Sequence, residues 1–149
     1  MEIERKFKIR NLPEGLDQYA FHTIEQAYLC INPVVRIRRQ DNQYILTYKS
    51  TGLMAREEYN LPLNEEAYAH LKAKADGVIL SKTRYLIPLS GNLTAELDIF
   101  DKPYEGLVIA EVEFSSLDEA NAFTPPEWFG EDVTGSGQYH NSTLSRIQP

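Results

Sequence analysis

The sequence predicts a mainly β domain of the α+β class, in which eight short strands form an antiparallel system with a few flanking helices. Short runs with period-two alternation, rich in Val, Ile, Thr, Tyr and Phe, recur along the chain. Turn signals separate them, among them "NLPEGLD" at 11–17, "INP" at 31–33, "QDNQ" at 40–43, "SGN" at 90–92 and "DKPYEG" at 101–106. Helix start and stop signals are confined to a few stretches. With 149 residues, 42% hydrophobic and 25% charged, the chain reads as a single globular domain over 1–149.

The first strand, 2–9, sets Glu2, Glu4, Lys6 and Lys8 against Ile3, Phe7 and Ile9. The second, 23–30, is milder and offers Gln26 and Tyr28 on one face. The third, 34–40, alternates Arg36 and Arg38 with Val35 and Ile37, and forms a hairpin with 43–50, where Thr47 and Lys49 alternate with Leu46 and Tyr48. The fifth, 55–61, carries Arg56 and Glu58. A helix is expected over "NEEAYAHLKAKADG", with Asn64 as N-cap, acids in the first turn and Gly77 as the stop. The sixth strand, 78–87, carries Lys82 and Arg84. The last two form a second hairpin: 93–100 with Glu96 and Asp98, and 107–115 with Glu111 and Glu113. Ser116 and Glu119 stand at capping-box spacing at the head of a second helix. A short helix at 12–20 has weaker signals. The tail after Pro125 is polar and Gly-rich, with Trp128 and Phe129 read as core.

A charged face therefore recurs on almost every strand. For one strand, a sheet with one face in water is the simpler reading. Across the set the signs segregate: 34–40 and 78–87 are basic on that face, and 93–100 and 107–115 are acidic. Eight strands can also close into a barrel with this face inward. A lumen so lined would be prohibitively unfavourable without partners. Clustered carboxylates suit a hard divalent cation, Mg²⁺ or Mn²⁺. Clustered Lys and Arg suit a polyanion, and the arginine fork matches phosphate oxygens. A metal bridging the acids to a chain of phosphates would join both clusters.

Other classes are disfavoured. A formal net charge of −7 argues against broad binding to nucleic acid or anionic membrane. No run approaches the ~20 apolar residues of a membrane span. The charged start shows no signal peptide, and a cytoplasmic location is expected. The single cysteine, Cys30, forms no internal disulfide, and His22, His70 and His140 are scattered rather than set at zinc spacing. Neither a Walker loop nor a glycine-rich dinucleotide fingerprint is present.

"EIERKF" at 2–7 resembles the ExExK signature of the CYTH superfamily, the triphosphate tunnel metalloenzymes. The similarity continues through "RIR" at 36–38, "TYK" at 47–49, "REEYN" at 56–60, "KTR" at 82–84, "ELDIF" at 96–100, "EVEF" at 111–114 and "VTGSGQYHNSTLS" at 133–145. The resemblance implies a closed eight-stranded antiparallel barrel whose tunnel binds triphosphates with a divalent metal. It implies that Glu2, Glu4, Glu111 and Glu113 bind metal, and that Lys6, Lys8, Arg36, Arg38, Lys49, Lys82 and Arg84 cradle the phosphates. Lys82 matches the lysine near the reactive phosphate, and Tyr28 matches a tyrosine that pairs with it; both join Glu4 as implied catalytic residues. Glu58 and Asp98 stand at the metal end or balance the basic cluster, while Arg56 and Glu96 are either ligand contacts or an internal salt bridge. Tyr139 and Asn141 fit a plug or cap at one tunnel mouth.

The implied activity is metal-dependent hydrolysis of a triphosphate, with inorganic tripolyphosphate first and nucleoside triphosphates as further substrates. Adenylate cyclase, thiamine triphosphatase and a non-catalytic polyphosphate-binding module are the alternatives. A homodimer is the expected oligomer.

Overall fold

A computed structural model of the chain describes residues 2–52, 54–136 and 138–145. Of the tail motif at 133–145, Gly137 lies outside the described residues, as do residues 146–149 of the expected domain. The strands are β1 Glu2–Ile9, β2 Ala20–Ile31, β3 Val34–Gln40, β4 Gln43–Lys49, β5 Ala55–Arg56, β6 Glu58–Leu63, β7 Asp76–Pro88, β8 Thr94–Phe100, β9 Val108–Glu113 and β10 Phe129–Asp132. The helices are α1 Glu65–Lys72, α2 Leu117–Ala122 and α3 Asn141–Leu144.

The strands pair antiparallel in the order β10-β1-β9-β8-β7-β2-β3-β4-β6, and β5 pairs back onto β1. This is a nearly closed barrel, joined through a short seam. The strand expected at 55–61 is broken at Glu57, because Ser50 takes both of that residue's backbone groups: Ser50 N–H donates to Glu57 O at 3.0 Å, and Glu57 N–H donates to Ser50 Oγ at 2.9 Å. The chain thereby changes neighbours. β6 stays with β4, Tyr48 opposite Tyr59, and β5 crosses to β1, Glu2 opposite Arg56. β10 occupies the far end of the same β1 edge, with Phe7 opposite Asp132. Ten strand segments thus replace the expected eight. The break and the added strand account for the difference.

Alternation along the strands sorts side chains between the lumen and two outer cores. Ile3, Phe7, Leu97, Ala110 and Val112 point outward and pack under Ala120 of α2 and Phe129 of β10. Trp128 packs against that cluster, as the core reading required. Ala27 and Ile37 point outward under Tyr68 of α1. Asn64 caps α1, accepting from Ala67 N–H at 2.6 Å. The helix stops at Lys72 rather than running to Gly77. Lys74 and Ala75 N–H fold back to Leu71 and Lys72 O, and Gly77 lies inside β7 with φ 70°. Ser116 caps α2 through Glu119 N–H at 3.0 Å, and Glu119 reaches back to Ser115 N–H at 2.9 Å. The helix expected at 12–20 is only a 3₁₀ turn at Leu16–Gln18.

A third cluster lies inside the barrel at one end: Tyr28, Val34, Leu80, Phe100 and Ile109 meet Leu144 of α3, with Tyr139 against them. The tail therefore returns to the barrel and packs on an apolar floor. Among the described residues, no helix is long and apolar enough to cross a membrane.

Candidate active site

The charged alternation found in the sequence faces the lumen. Glu2, Glu4, Lys6, Arg36, Lys49, Lys82, Arg84, Asp98 and Glu111 are all buried, although each carries a charge-bearing group. All of these but Lys82 and Asp98 line a cavity of about 210 Å³, together with Tyr28, Arg38, Arg56, Glu58, Glu96 and Glu113.

Most of the lumen charges meet partners of opposite sign. Lys49 Nζ stands 2.8 Å from Glu2 and 3.4 Å from Glu58. Arg56 lies 3.3 Å from Glu2 and 3.7 Å from Glu4, and Lys6 lies 3.5 Å from Glu111. Arg84 grips Asp98 with two parallel hydrogen bonds of 2.7 and 2.8 Å, and reaches Glu96 at 3.3 Å. Arg56 and Glu96 therefore pair with other lumen residues rather than with each other.

The pairing is incomplete on both sides. Among the described residues, neither Arg36 nor Arg38 has a carboxylate at ion-pair distance, and Arg36 Nε is buried with no hydrogen-bond partner. Burial, with Arg36 and Arg84 nearby, holds the Arg38 guanidinium below the ordinary arginine range. Among the acids, burial and the neighbouring Glu111 push Glu4 up to about 8. Glu96 and Glu113 are also raised, by burial and then by other carboxylates, although Glu113 is exposed on one side. Glu111 goes the other way: burial opposes its charge, but Lys6, Arg84 and Lys82 outweigh it and hold it well below the usual range.

Three of the sequence-predicted residues, Lys82, Asp98 and Lys8, stand outside the cavity lining. Lys82 is fully buried and does not line the cavity. Its Nζ forms an ion pair with Asp98 Oδ2 at 2.7 Å. Burial lowers Lys82 to about 7, against the pull of Asp98. Its ion-pair partner is Asp98, and among the described residues no hydrogen bond joins Lys82 to Tyr28. Asp98 is likewise sealed behind the wall, holding Lys82 and Arg84 together. Lys8 is half-buried outside the lining set, its ammonium 5.4 Å from the centre of the Tyr139 ring, because the returning tail covers that end of β1.

The lining also includes residues that the charge pattern did not single out. Asn60 shares the parity of Glu58 and bonds Thr47 Oγ1 at 2.6 Å. His140 lines the cavity beside Asn141, and burial together with Lys6 and Arg56 lowers it to about 4. Asn60 was legible by extending the two-residue period; His140 lies in irregular chain where no period applies.

The CYTH domain family model matches residues 1–147. The chain is 37% identical to an inorganic triphosphatase of Nitrosomonas europaea, over 99% of each chain. It is 35% identical to an inorganic triphosphatase of Acetivibrio thermocellus, over 96% of this chain and 92% of that one. A crystal structure of an inorganic triphosphatase superposes with TM-score 0.75 at 35% identity, covering 100% of this chain and 97% of the other. A Hippeastrum protein with a dominant triphosphatase activity superposes with TM-score 0.65 at 16% identity, over 100% of this chain and 98% of that one, and bears on the fold alone.

Proposed function

The chain belongs to the CYTH domain family, and from that premise we propose that it hydrolyses inorganic tripolyphosphate to pyrophosphate and phosphate in the barrel lumen, with Mg²⁺ or Mn²⁺. One observation carries the reading. Lys6, Lys49, Arg56 and Arg84 are held by carboxylates, whereas the buried Arg36 and the half-buried Arg38 present guanidinium charge to the same cavity with, among the described residues, no acid at ion-pair distance. Such charge suits a polyanion small enough to enter, and phosphate oxygens match the fork.

The acids fit a hard divalent cation. Glu2 Oε1 is buried with no hydrogen bond and only the Arg56 guanidinium against it, at 3.3 Å, and Glu4 is raised to about 8 because burial and Glu111 disfavour its charge. Among the described residues, no group of three His, Cys, Asp or Glu side chains is already set to hold an ion. Glu2, Glu4, Glu111 and Glu113 are the residues that would hold the ion. When bound, it would offset the charge on the transferring phosphoryl group.

The chain's own residues do the remaining work. Arg36 and Arg38 bind and align the phosphates, and Lys6 and Lys49, paired with Glu111 and Glu2, line the same cavity. Phosphoryl transfer asks for positioning and charge stabilisation more than for covalent help. Water attacks the terminal phosphorus, the bridging P–O bond breaks, pyrophosphate leaves, and the water's proton passes to solvent. Lys82 acts from behind the wall, holding Asp98 and through it Arg84, rather than on a phosphate.

The test is a side-by-side panel of tripolyphosphate, ATP, GTP and thiamine triphosphate, each with Mg²⁺ and Mn²⁺, reading phosphate release and cyclic AMP. Fastest phosphate release from tripolyphosphate is expected. Cyclic AMP from ATP points to the cyclase alternative, and faster turnover of thiamine triphosphate to that triphosphatase. Absence of any product points to a binding module.

A further inference from the structure

We propose that Gln26 is a positioning residue for substrate binding: a neutral clamp that orients the Arg38 guanidinium while leaving its charge available to a phosphate. The inference rests on the triphosphatase reading and assigns a role to a residue outside the charged pattern. Gln26 is fully buried on β2 and faces inward with Tyr28. Its Oε1 accepts from Arg38 Nη2 at 3.1 Å and from Arg38 Nε at 3.3 Å. Both bonds reach one oxygen, so the fork is fixed in direction by a single uncharged acceptor.

The neighbouring strand pair, β7 and β8, holds a charged counterpart. Arg38 stands opposite Gln26 in the β2–β3 register, and Arg84 stands opposite Asp98 in the β7–β8 register. Both cross-strand partners bond the Nε and Nη2 of their arginine. Asp98 neutralises Arg84 in doing so; Gln26 cannot neutralise Arg38. The amide is therefore the feature that leaves Arg38 as free positive charge on the cavity wall. A glutamate of almost the same shape would turn it into a second Arg84. The position opposite Gln26 on its other neighbour is Leu80, so no acid enters from that strand either.

Two substitutions separate the roles. Gln26→Glu keeps the shape and adds the charge. The expected result is a KM for tripolyphosphate raised roughly 10- to 100-fold, the loss of one charge-assisted hydrogen bond, with kcat within about threefold. The variant should melt no lower than wild type, and its KM should depend less steeply on ionic strength, since one cation no longer faces the substrate. Gln26→Met removes the clamp without adding charge; KM should rise by less, with the wild-type salt dependence retained. If Gln26 served packing alone, both variants would lose thermal stability while KM and its salt dependence per folded molecule stayed at wild-type values, and that outcome overturns the inference. Should Gln26→Glu fail to fold, Gln26→Met decides: a raised KM supports the clamp and an unchanged one overturns it. A wild-type protein that neither hydrolyses tripolyphosphate nor is stabilised by it sinks the functional reading itself, and the clamp with it. Wild-type turnover beside unchanged variants sinks only the clamp.

Discussion

Glu2 Oε2 and Lys49 Nζ stand 2.8 Å apart inside the barrel, bridging strands that the seam at β5 and β6 joins. The pair shows how the lumen is held: acids and bases that suit a metal and a phosphate chain also neutralise one another. Ligand can exchange these contacts for its own while also occupying the unpaired Arg36 and Arg38. Tripolyphosphate with Mg²⁺ at about 100 times its Kd should therefore stabilise the fold by about 2.7 kcal/mol through mass action. Scanning fluorimetry should show a rise of several degrees. An unchanged melt at saturating ligand argues against binding.

Glu4→Gln should abolish turnover at ordinary metal concentrations and leave the circular dichroism spectrum intact, because it keeps the shape and removes a hard anionic donor. Full activity with unchanged metal dependence removes Glu4 from the site.

The same residue gives the metal-free protein a pH signature. Glu4 has a folded-state value of about 8, above the 4.5 of the free side chain. Between those values the folded state holds a proton that the unfolded state has lost. This contribution to stability is full below about pH 4.5 and is lost as pH rises through 8. Lys82, lowered to about 7 from 10.5, acts in the opposite sense: stability rises between pH 7 and 10.5 as the unfavourable buried charge is relieved. The two effects overlap, so the difference between wild type and Glu4→Gln isolates the first. Melting curves from pH 4.5 to 8, in chelator, should fall more steeply for wild type than for the variant; parallel curves contradict the assignment.

The basic residues should divide by their access to the cavity. Arg36→Ala should raise KM for tripolyphosphate by roughly tenfold or more, since it removes a charge-assisted contact. Lys8→Ala should change KM much less, because the Lys8 ammonium lies on the Tyr139 ring outside the cavity lining. Equal effects on KM would return Lys8 to the phosphate cradle.

The inward charge was legible because one rule, the two-residue period of a strand, held from Glu2 to Glu113 with few interruptions. Which lumen charges remain free was not legible. That depends on cross-strand register, which puts Asp98 opposite Arg84 and Gln26 opposite Arg38. Lys82 shows the same limit: parity points it inward, but its depth behind Asp98 depends on packing. The break at Glu57 and the strand at Phe129–Asp132 were hidden because each depends on a distant partner, Ser50 in the first case and β1 in the second. The caps at Asn64 and Ser116 were readable because a cap involves only the next few residues.

A substitution outside the lumen supplies the control. Asn64→Ala removes the α1 cap and should lower stability by about 1 kcal/mol, while kcat and KM for tripolyphosphate stay at wild-type values. A change in either constant would tie α1 to the site.

Hydrolysis in the tunnel is tested most directly by phosphorus NMR of tripolyphosphate incubated with the protein and Mg²⁺ or Mn²⁺. The triphosphate resonances should give way to those of pyrophosphate and phosphate in equal molar amounts, and should persist with Glu4→Gln or with chelator. Tripolyphosphate left intact by folded wild-type protein in the presence of both metals, or cleaved equally fast by Glu4→Gln, would contradict a metal-dependent triphosphatase built on these residues.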